Sequence, residues 1–169
     1  MRAEPADAGP CPPCLQGGVL FRGRSTHSLD AKGRLSIPAR FRDVLKAKYD
    51  GRLIVTNLPG CLAAYPYEEW RVLEEQFSRY RLARPEVLAF QRYFLAAAVE
   101  CPLDGQGRIL IPPALRDEAG FQKEVVLSGM LTYFEIWSRE RLEAELSKAR
   151  ENFDQYSSVV ANIGGFPEG

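Results

Sequence analysis

Asp-Ala-Lys-Gly-Arg-Leu-Ser-Ile-Pro-Ala-Arg-Phe-Arg-Asp, at residues 30–43, has a second, altered copy in Asp-Gly-Gln-Gly-Arg-Ile-Leu-Ile-Pro-Pro-Ala-Leu-Arg-Asp at residues 104–117. The two copies share the pattern D-x-x-G-R-x-x-I-P-x-x-x-R-D. The similarity continues downstream in two more pairs of segments, 53–56 with 125–128 and 65–68 with 137–140. A match of this length indicates an internal duplication, so the chain is expected to contain one small structural unit twice.

Each copy has the residue order of a turn, a strand and a short helix. Gly33 and Gly107 stand in polar stretches before β-rich segments, which indicates a tight turn. Pro38 and Pro112 are expected to end the strand and begin a helix. Helical spacing then appears in the first copy at Phe41, Val44, Leu45 and Lys48. Each half is therefore predicted to be a β–turn–β–short helix–β–β unit of α+β class. A unit this small buries its own core poorly, so it needs the other half or a second chain.

Apolar stripes at helical spacing follow each half. The stripes are Trp70, Leu73, Phe77 and Tyr80; Val87, Leu88, Phe94 and Leu95; and Leu142, Leu146, Ala149 and Phe153. Such stripes are expected to serve core and subunit packing rather than a cofactor site. The apolar surface of these stripes is larger than the few short strands and the short helix of each half can cover. Part of this surface is therefore expected to contact a neighbouring subunit. The segment from Ala161 to Gly169, which contains Gly and Pro, is expected to be loose.

The charge of the chain sums to zero but is unevenly distributed. The 169 residues are 46% hydrophobic and 26% charged, which is typical of a globular protein. Residues 21–52 are strongly basic, which favours a polyanionic partner. The cations of this stretch are Arg22, Arg24, Lys32, Arg34, Arg40, Arg42, Lys46, Lys48 and Arg52, against Asp30, Asp43 and Asp50.

The sequence predicts a cytoplasmic protein without a membrane partner. No uncharged apolar run approaches the roughly 20 residues that span a bilayer, and residues 1–20 lack the apolar stretch of a signal peptide. Residues 1–19 form a leader rich in Pro, Gly and Ala, which is expected to be flexible and inert.

The cysteines and the single histidine do not have the spacing of a metal or redox site. Cys11 and Cys14 form one C-P-P-C pair, but a structural zinc site needs a second ligand pair. His27 is expected to be a packed or surface residue because the sequence offers it no catalytic partner. The sequence contains no motif of a phosphate-binding loop, a nucleophile elbow or a zinc-protease helix. We therefore expect no cofactor, no enzymatic activity and no small-molecule substrate.

The tandem D-x-x-G-R-x-x-I-P elements resemble the MraZ family. Further likeness lies at Phe21-Arg22-Gly23, at Tyr65-Pro66 with Trp70, and at Glu135-Ile136-Trp137. The resemblance implies two tandem SpoVT/AbrB-like swapped-hairpin half-barrels in one chain, forming a pseudo-two-fold β-barrel with flanking helices. The bounds expected on this basis are 1–19 for the leader, 20–68 for the first domain, 69–95 for a helical connection, 96–140 for the second domain and 141–169 for the C-terminal helix and tail.

The same resemblance implies a function. The implied function is that of a nucleoid-associated transcriptional regulator, which binds double-stranded DNA at short repeated promoter boxes. The expected target is the division and cell-wall gene cluster, including the protein's own gene, with repression as the expected effect. The resemblance also implies a homo-oligomer in the form of a closed ring.

A DNA-binding role is expected above all for Arg34. Its guanidinium is a planar fork that pairs with guanine edges or phosphates, and a glycine turn presents it on a tip. By resemblance, Arg34 is the last residue of the family's D-x-x-x-R motif, and Arg108 has the same place in the second copy. In the alternative interpretation these arginines only pin their own turns through Asp30 and Asp104, a role that we favour for the aspartates. The full set of expected DNA-binding residues is Arg34, Lys32, Arg22, Arg24, Arg42, Arg108 and Arg116.

The two copies are expected to contribute unequally. Gln106 replaces Lys32 in the second copy, and acidic residues surround it at Glu100, Glu118 and Glu124. The first copy should therefore supply most phosphate contacts. The competing interpretations are an AbrB-type antitoxin, which usually has one copy and a disordered tail, and a structural ring without a DNA role. An enzyme ranks third.

Overall fold

The computed structural model describes residues 18–79 and 84–163. In these ranges the strands are β1 (Arg24–Ser28), β2 (Arg34–Ser36), β3 (Arg52–Leu58), β4 (Cys61–Pro66), β5 (Val99–Pro102), β6 (Arg108–Leu110), β7 (Glu124–Met130) and β8 (Tyr133–Ser138). The helices there are α1 (Ala39–Lys48), α2 (Tyr67–Ser78), α3 (Pro85–Phe94), α4 (Pro113–Glu118), α5 (Arg139–Glu151) and α6 (Phe153–Asn162). Each half runs β-β-α-β-β and continues into two helices, so the expected α+β class with two tandem units is confirmed.

The local signals of the repeat act as predicted. Gly33 and Gly107 occupy the turns before β2 and β6 with φ of +83° and +74°. Pro38 and Pro112 stand directly before α1 and α4. Proline has a fixed φ and no N–H to donate, so it ends the preceding strand and tolerates the start of a helix.

The two halves exchange strands. β1 of the first half pairs antiparallel with β7 of the second, and β5 of the second half pairs with β3 of the first. Within the described residues this produces a six-stranded sheet of order β1-β7-β8-β4-β3-β5, while β2 and β6 form a separate antiparallel ribbon. The first strand of each half thus completes the sheet of the other half.

The main core draws on both halves. Phe21, Phe41 and Phe134 are fully buried, and their ring centroids lie 5.1 to 5.3 Å apart. Phe21 and Phe41 belong to the first half and Phe134 to β8 of the second. Burial of aromatic rings is among the largest apolar contributions to stability, so neither half keeps its core without the other.

The helices that follow the first half cover the outer face of the sheet. Trp70 of α2 and Phe94 of α3 are buried against Ile54 of β3, as the first two stripes predicted. Tyr80 lies outside the described residues. No helix in the described ranges combines the length and the hydropathy needed to cross a bilayer.

The third predicted stripe is divided between two helices, which corrects that expectation. Leu142 of α5 is buried, but α5 ends at Glu151 and Phe153 opens α6 with 64% of its surface exposed. The cause is Asn152, whose backbone N–H and side-chain amide both donate to the Lys148 carbonyl oxygen and close α5. The loose tail expected from Ala161 is also wrong at its start, because α6 continues to Asn162. Residues 164–169 lie outside the described ranges.

Helix α6 presents an apolar face to solvent. Its members recur at helical spacing and are Phe153, Tyr156 and Val159, continued by Ile163 directly after the helix, all exposed. The second half therefore ends in an amphipathic helix that the described part of the chain does not cover.

A close backbone approach joins the segment before β1 to β7. Phe21 exchanges two backbone hydrogen bonds with Leu131, and the Gly129 N–H donates to the Gly23 carbonyl oxygen at 2.9 Å. A Cβ atom added to Gly129 would lie 2.5 Å from the Phe21 carbonyl carbon and 2.6 Å from the Arg22 nitrogen. Backbone atoms held in a ladder cannot retreat as a flexible side chain can, so glycine is required here.

Gly129→Ala is expected to lower the free energy of unfolding by about 2 kcal/mol or more, because the methyl group displaces Phe21 from the core. Gly105→Ala is the matched control, since a Cβ there meets nothing within 4 Å. The control should lie within about 1 kcal/mol of the parent. Urea unfolding of the three proteins measures the difference, and equal stabilities would contradict the proposed close approach.

Candidate nucleic-acid interface

The turn between β1 and β2 is held by the carboxylate of Asp30. Its Oδ1 accepts hydrogen bonds from the backbone N–H groups of Lys32 and Arg34, both at 2.9 Å. Its Oδ2 accepts one from Arg34 Nε at 2.6 Å. The Gly33 N–H donates to the Asp30 carbonyl oxygen at 3.0 Å. A side chain at Gly33 would be strained at positive φ, so Asp30 and Gly33 together define the shape of the turn.

The second half builds the same turn. Asp104 Oδ1 accepts from the backbone N–H groups of Gln106 and Arg108 at 2.9 Å. Arg108 Nε and Nη2 both lie 2.9 Å from Asp104 Oδ2. The duplication therefore preserves the hydrogen bonds of the turn, while its two variable positions are Ala31 and Lys32 in one half and Gly105 and Gln106 in the other.

Hydrogen bonding keeps both turn carboxyls ionised. The backbone N–H of Arg34, with its side chain adding to the effect, holds the pKa of Asp30 at about 2. The pKa of Asp104 is lowered chiefly by the backbone N–H of Arg108. A folded pKa below the unfolded value gives stability that is present above about pH 4 and is lost as the pH falls through the folded pKa. The ion pairs expected from the sequence are thus present and complete at neutral pH.

Binding to Asp30 does not remove Arg34 from the surface. Its Nε is engaged by the carboxylate, yet 35% of the side chain remains exposed. An arginine held at Nε has a fixed orientation, which reduces the entropy lost when it contacts a ligand. Pinning of the turn and contact with a ligand are therefore compatible in the same residue.

The β2–β6 ribbon carries one turn at each of its ends, because it is antiparallel and each turn precedes its own strand. Arg34 lies opposite Leu110 in this ribbon, and Ser36 lies opposite Arg108. A groove of about 760 Å³ runs beside it, with charged lining residues from both halves. These charged residues are Lys32, Arg34, Arg108 and Arg116, together with Glu100 and Asp104. Four of the seven predicted DNA-binding residues thus share one groove.

Arg22 and Arg24 form a second basic group at the edge of the sheet. Both are exposed, Arg24 on the edge strand β1. The Arg40 guanidinium lies beside Gly23 on the same edge. Burial, and after it the charge of Arg40, lowers the pKa of His27. The structure therefore separates Arg22 and Arg24 from the groove.

Arg42 and Arg116 differ from the other predicted residues in what they pack against. Both are half-buried, Arg116 against Gly33 and Arg42 against Gly107, so that each packs on the turn of the other half. Among the described residues, their buried Nε atoms have no hydrogen-bond partner. Sequence reasoning missed this packing, although the equal spacing of glycine and arginine in both copies is a signal that could indicate it.

The histidine and the buried thiols show no reactive arrangement. His27 Nε2 lies 3.1 Å from Ser25 Oγ. Burial raises the pKa of Cys101 to about 11 and raises that of Cys61 as well. A thiol with a raised pKa carries little thiolate at neutral pH and is a poor nucleophile. In the described part of the chain, no group of three or more His, Cys, Asp or Glu could hold a metal ion. Cys11 and Cys14 lie outside that part.

Comparison with known proteins identifies the family. The family model described as "MraZ protein, putative antitoxin-like" matches the chain twice, over residues 20–93 and 94–160. A protein of Syntrophobacter fumaroxidans is 45% identical over 148 residues, which cover 88% of this chain and 99% of the relative. A protein of Ligilactobacillus salivarius is 44% identical over 144 residues, covering 85% and 99%. A protein of Moorella thermoacetica is 42% identical over 147 residues, covering 87% and 99%.

All three relatives carry the name "Transcriptional regulator MraZ". The two family matches coincide with the two turn-bearing halves described above, and the identities extend over nearly the whole length of each relative. The chain belongs to the MraZ family of transcriptional regulators.

Proposed function

We propose that this protein regulates transcription by binding double-stranded promoter DNA through its two glycine turns. The observation that carries the proposal is the antiparallel β2–β6 ribbon, which carries a D-x-x-G-R turn at each end and has Lys32, Arg34 and Arg108 along one groove. Guanidinium forks match guanine edges and phosphates, and a groove with cations from two turns suits a polyanion. The names of the relatives agree with this role.

The proposed contacts divide into two kinds. Arg34 and Arg108 read base edges from their turns, because each guanidinium is oriented by an aspartate. Lys32, Arg22 and Arg24 are exposed and contact phosphates, which fixes the position of the protein on the duplex. Arg42 and Arg116 complete the proposed DNA-binding set, and they differ from its other members in packing on the glycines of the turns.

The first half supplies most of the phosphate contacts in this proposal. Its turn carries Lys32 where the second turn carries Gln106, and the groove beside the second turn contains Glu100. Anionic side chains repel phosphate, so DNA lies closer to the first turn. The second turn then contributes mainly through Arg108.

The proposed target and sign of regulation are those that the resemblance to the family implies. The protein is proposed to bind repeated boxes in the promoter of the division and cell-wall gene cluster, its own gene included, and to repress it. It does so as a cytoplasmic, nucleoid-associated protein without a cofactor, an enzymatic activity or a small-molecule substrate. An AbrB-type antitoxin and a structural ring without DNA binding remain the competing functions.

Ring assembly would strengthen binding to repeated boxes. A single module with few phosphate contacts binds loosely at physiological salt, whereas several modules on one particle gain from effective concentration. The exposed apolar face of α6 supports subunit contact. A contact between unlike surfaces repeats head to tail and closes into a ring when the rotation permits.

Arg34→Ala is expected to lower affinity for the protein's own promoter at least about tenfold, because a bidentate base contact is lost. The ion pair with Asp30 is partly exposed to solvent, and such pairs contribute little to stability, so the variant should fold. Gel shifts with the fragment upstream of its own gene measure the affinity. Arg71→Ala is the control, since Arg71 is an exposed arginine of α2 paired with Glu75, and it should bind as the parent does. Retained binding by folded Arg34→Ala would refute the role, and a parent that binds no promoter would favour the structural ring or the antitoxin.

Lys32→Gln, which installs the residue of the second half, is expected to weaken binding to all DNA sequences about equally. It should reduce the slope of log affinity against log salt by about 0.9, which corresponds to one phosphate contact. Gln106→Lys is the reciprocal variant and should increase the slope. Binding to promoter and unrelated fragments across a salt series checks both. A change in sequence preference instead would show that the tip residue reads bases.

Light scattering at dilute concentration is expected to report a mass several times that of the 19.0 kDa protomer, unchanged when residues 1–18 are removed. Val159→Glu places a charge in the exposed apolar face of α6 and should lower the mass, because a buried unpaired charge opposes association. Ser158→Glu adds the same charge on the opposite face of α6 and should leave the mass unchanged. A monomeric parent would exclude both the ring and multivalent binding.

A further inference from the structure

Arg42 and Arg116 hold equivalent places in the repeat and make the same contact across the boundary between the halves. A Cβ atom added to Gly33 would lie 2.6 Å from Arg116 Cζ and 2.8 Å from its Nε. A Cβ atom added to Gly107 would lie 2.5 Å from both Cδ and Nη1 of Arg42. Each guanidinium is therefore packed directly on the glycine of the opposite turn, in the space that any other residue would fill.

The backbone repeats this reciprocity. The Ile111 N–H donates to the Gly33 carbonyl oxygen, and the Ile37 N–H donates to the Gly107 carbonyl oxygen, both at 3.0 Å. The turn of the first half is thus held from the second half by one backbone bond and one arginine side chain. The turn of the second half is held from the first half in the same way.

Gly33 lies at the point of the turn where such support affects Arg34. Its N–H donates to the Asp30 carbonyl oxygen, and the next residue is Arg34, whose N–H and Nε both bind the Asp30 side chain. Displacing Gly33 therefore changes the geometry of the Asp30–Arg34 pair. Gly107 has the same relation to Arg108.

The arginines are unusual choices for packing alone. Their Nε atoms are buried and lack hydrogen-bond partners in the described residues, and an unsatisfied donor costs stability. An apolar side chain would avoid that cost. A group kept in an unfavourable environment is typical of a functional constraint.

We propose that Arg116 is a positioning residue for Arg34 and that Arg42 is a positioning residue for Arg108, so each turn is completed by the other half. The two halves are then not independent DNA-binding modules. The effect on DNA binding rests on the proposed function, whereas the effect on the turns does not.

The first test reads the turns directly and uses no DNA. In ¹⁵N–¹H spectra of the arginine side chains, the Nε–Hε signals of Arg34 and Arg108 report the bonds to Asp30 and Asp104. Arg116→Ala should shift the Arg34 signal and speed its hydrogen exchange several-fold while leaving Arg108 unchanged. Arg42→Ala should do the reverse. Arg40→Ala is the control from the same helix as Arg42, and it should affect neither signal.

The crossed pattern decides the result. A variant that perturbs only the arginine of its own half, or neither arginine, overturns the proposal. If Arg116→Ala fails to fold, Arg116→Lys keeps the aliphatic stem and the charge but not the planar group. It should still shift the Arg34 signal in a folded protein, and an unchanged signal overturns the proposal equally.

The second test separates positioning from direct contact with DNA. Arg116→Ala should lower affinity for the promoter fragment about tenfold while leaving the salt slope on unrelated DNA unchanged. If Arg116 itself contacted a phosphate, that slope would fall by about 0.9, and the positioning role would be wrong. A parent protein that bound no promoter would remove the proposed function but not the crossed pattern of signals.

Discussion

Two reciprocal backbone hydrogen bonds between the halves govern this fold. They join Ile37 to Gly107 and Ile111 to Gly33, and they set β2 against β6. On either side of this ribbon the chain passes to the opposite half. Strand β1 of the first half therefore pairs with β7, and β5 of the second half pairs with β3. The shared aromatic core follows, because the ring of Phe21 can meet Phe134 only when the halves have crossed. The duplicated unit therefore supplies half of a structure rather than a small domain.

Features that depend on a few neighbouring residues could be predicted from the sequence. Three such features are the glycine turns, the prolines before α1 and α4, and the Asp30–Arg34 pair. Each of them involves only residues a few positions apart in the sequence. The prediction of one continuous stripe from Leu142 to Phe153 is wrong at its end, because residue spacing does not reveal that Asn152 closes α5. The repeat also predicted that each half needs cover, and the core confirms it.

Features that depend on contacts between the halves could not be predicted in the same way. Arg42 and Arg116 are cations in a basic stretch or near a turn, so their charge suggests solvent or DNA. Their actual neighbours are Gly107 and Gly33, which come close only after the ribbon forms. The sequence also gives no sign that position 129 must be glycine, because the space for a side chain there is taken by the backbone of Phe21, far away in the chain. By contrast, the difference between the tip residues Lys32 and Gln106 could be read from the sequence. The turn is held by backbone and aspartate, so its tip can change charge without changing shape.

The pairing of β1 with β7 bears on how the protein is made. During synthesis β1 leaves the ribosome early, but its partner strand follows only after the whole of the first half and much of the second, since Arg24 pairs with Ser128. The β3–β4 hairpin, by contrast, has its partners within one short stretch and can form as soon as it emerges. Until β7 arrives, β1 has no ladder to join and the ring of Phe21 has no core to enter. Long-range pairing of this kind slows folding and leaves an unpaired strand exposed. A nascent first half is therefore the stage at which this protein most needs protection from pairing with another chain.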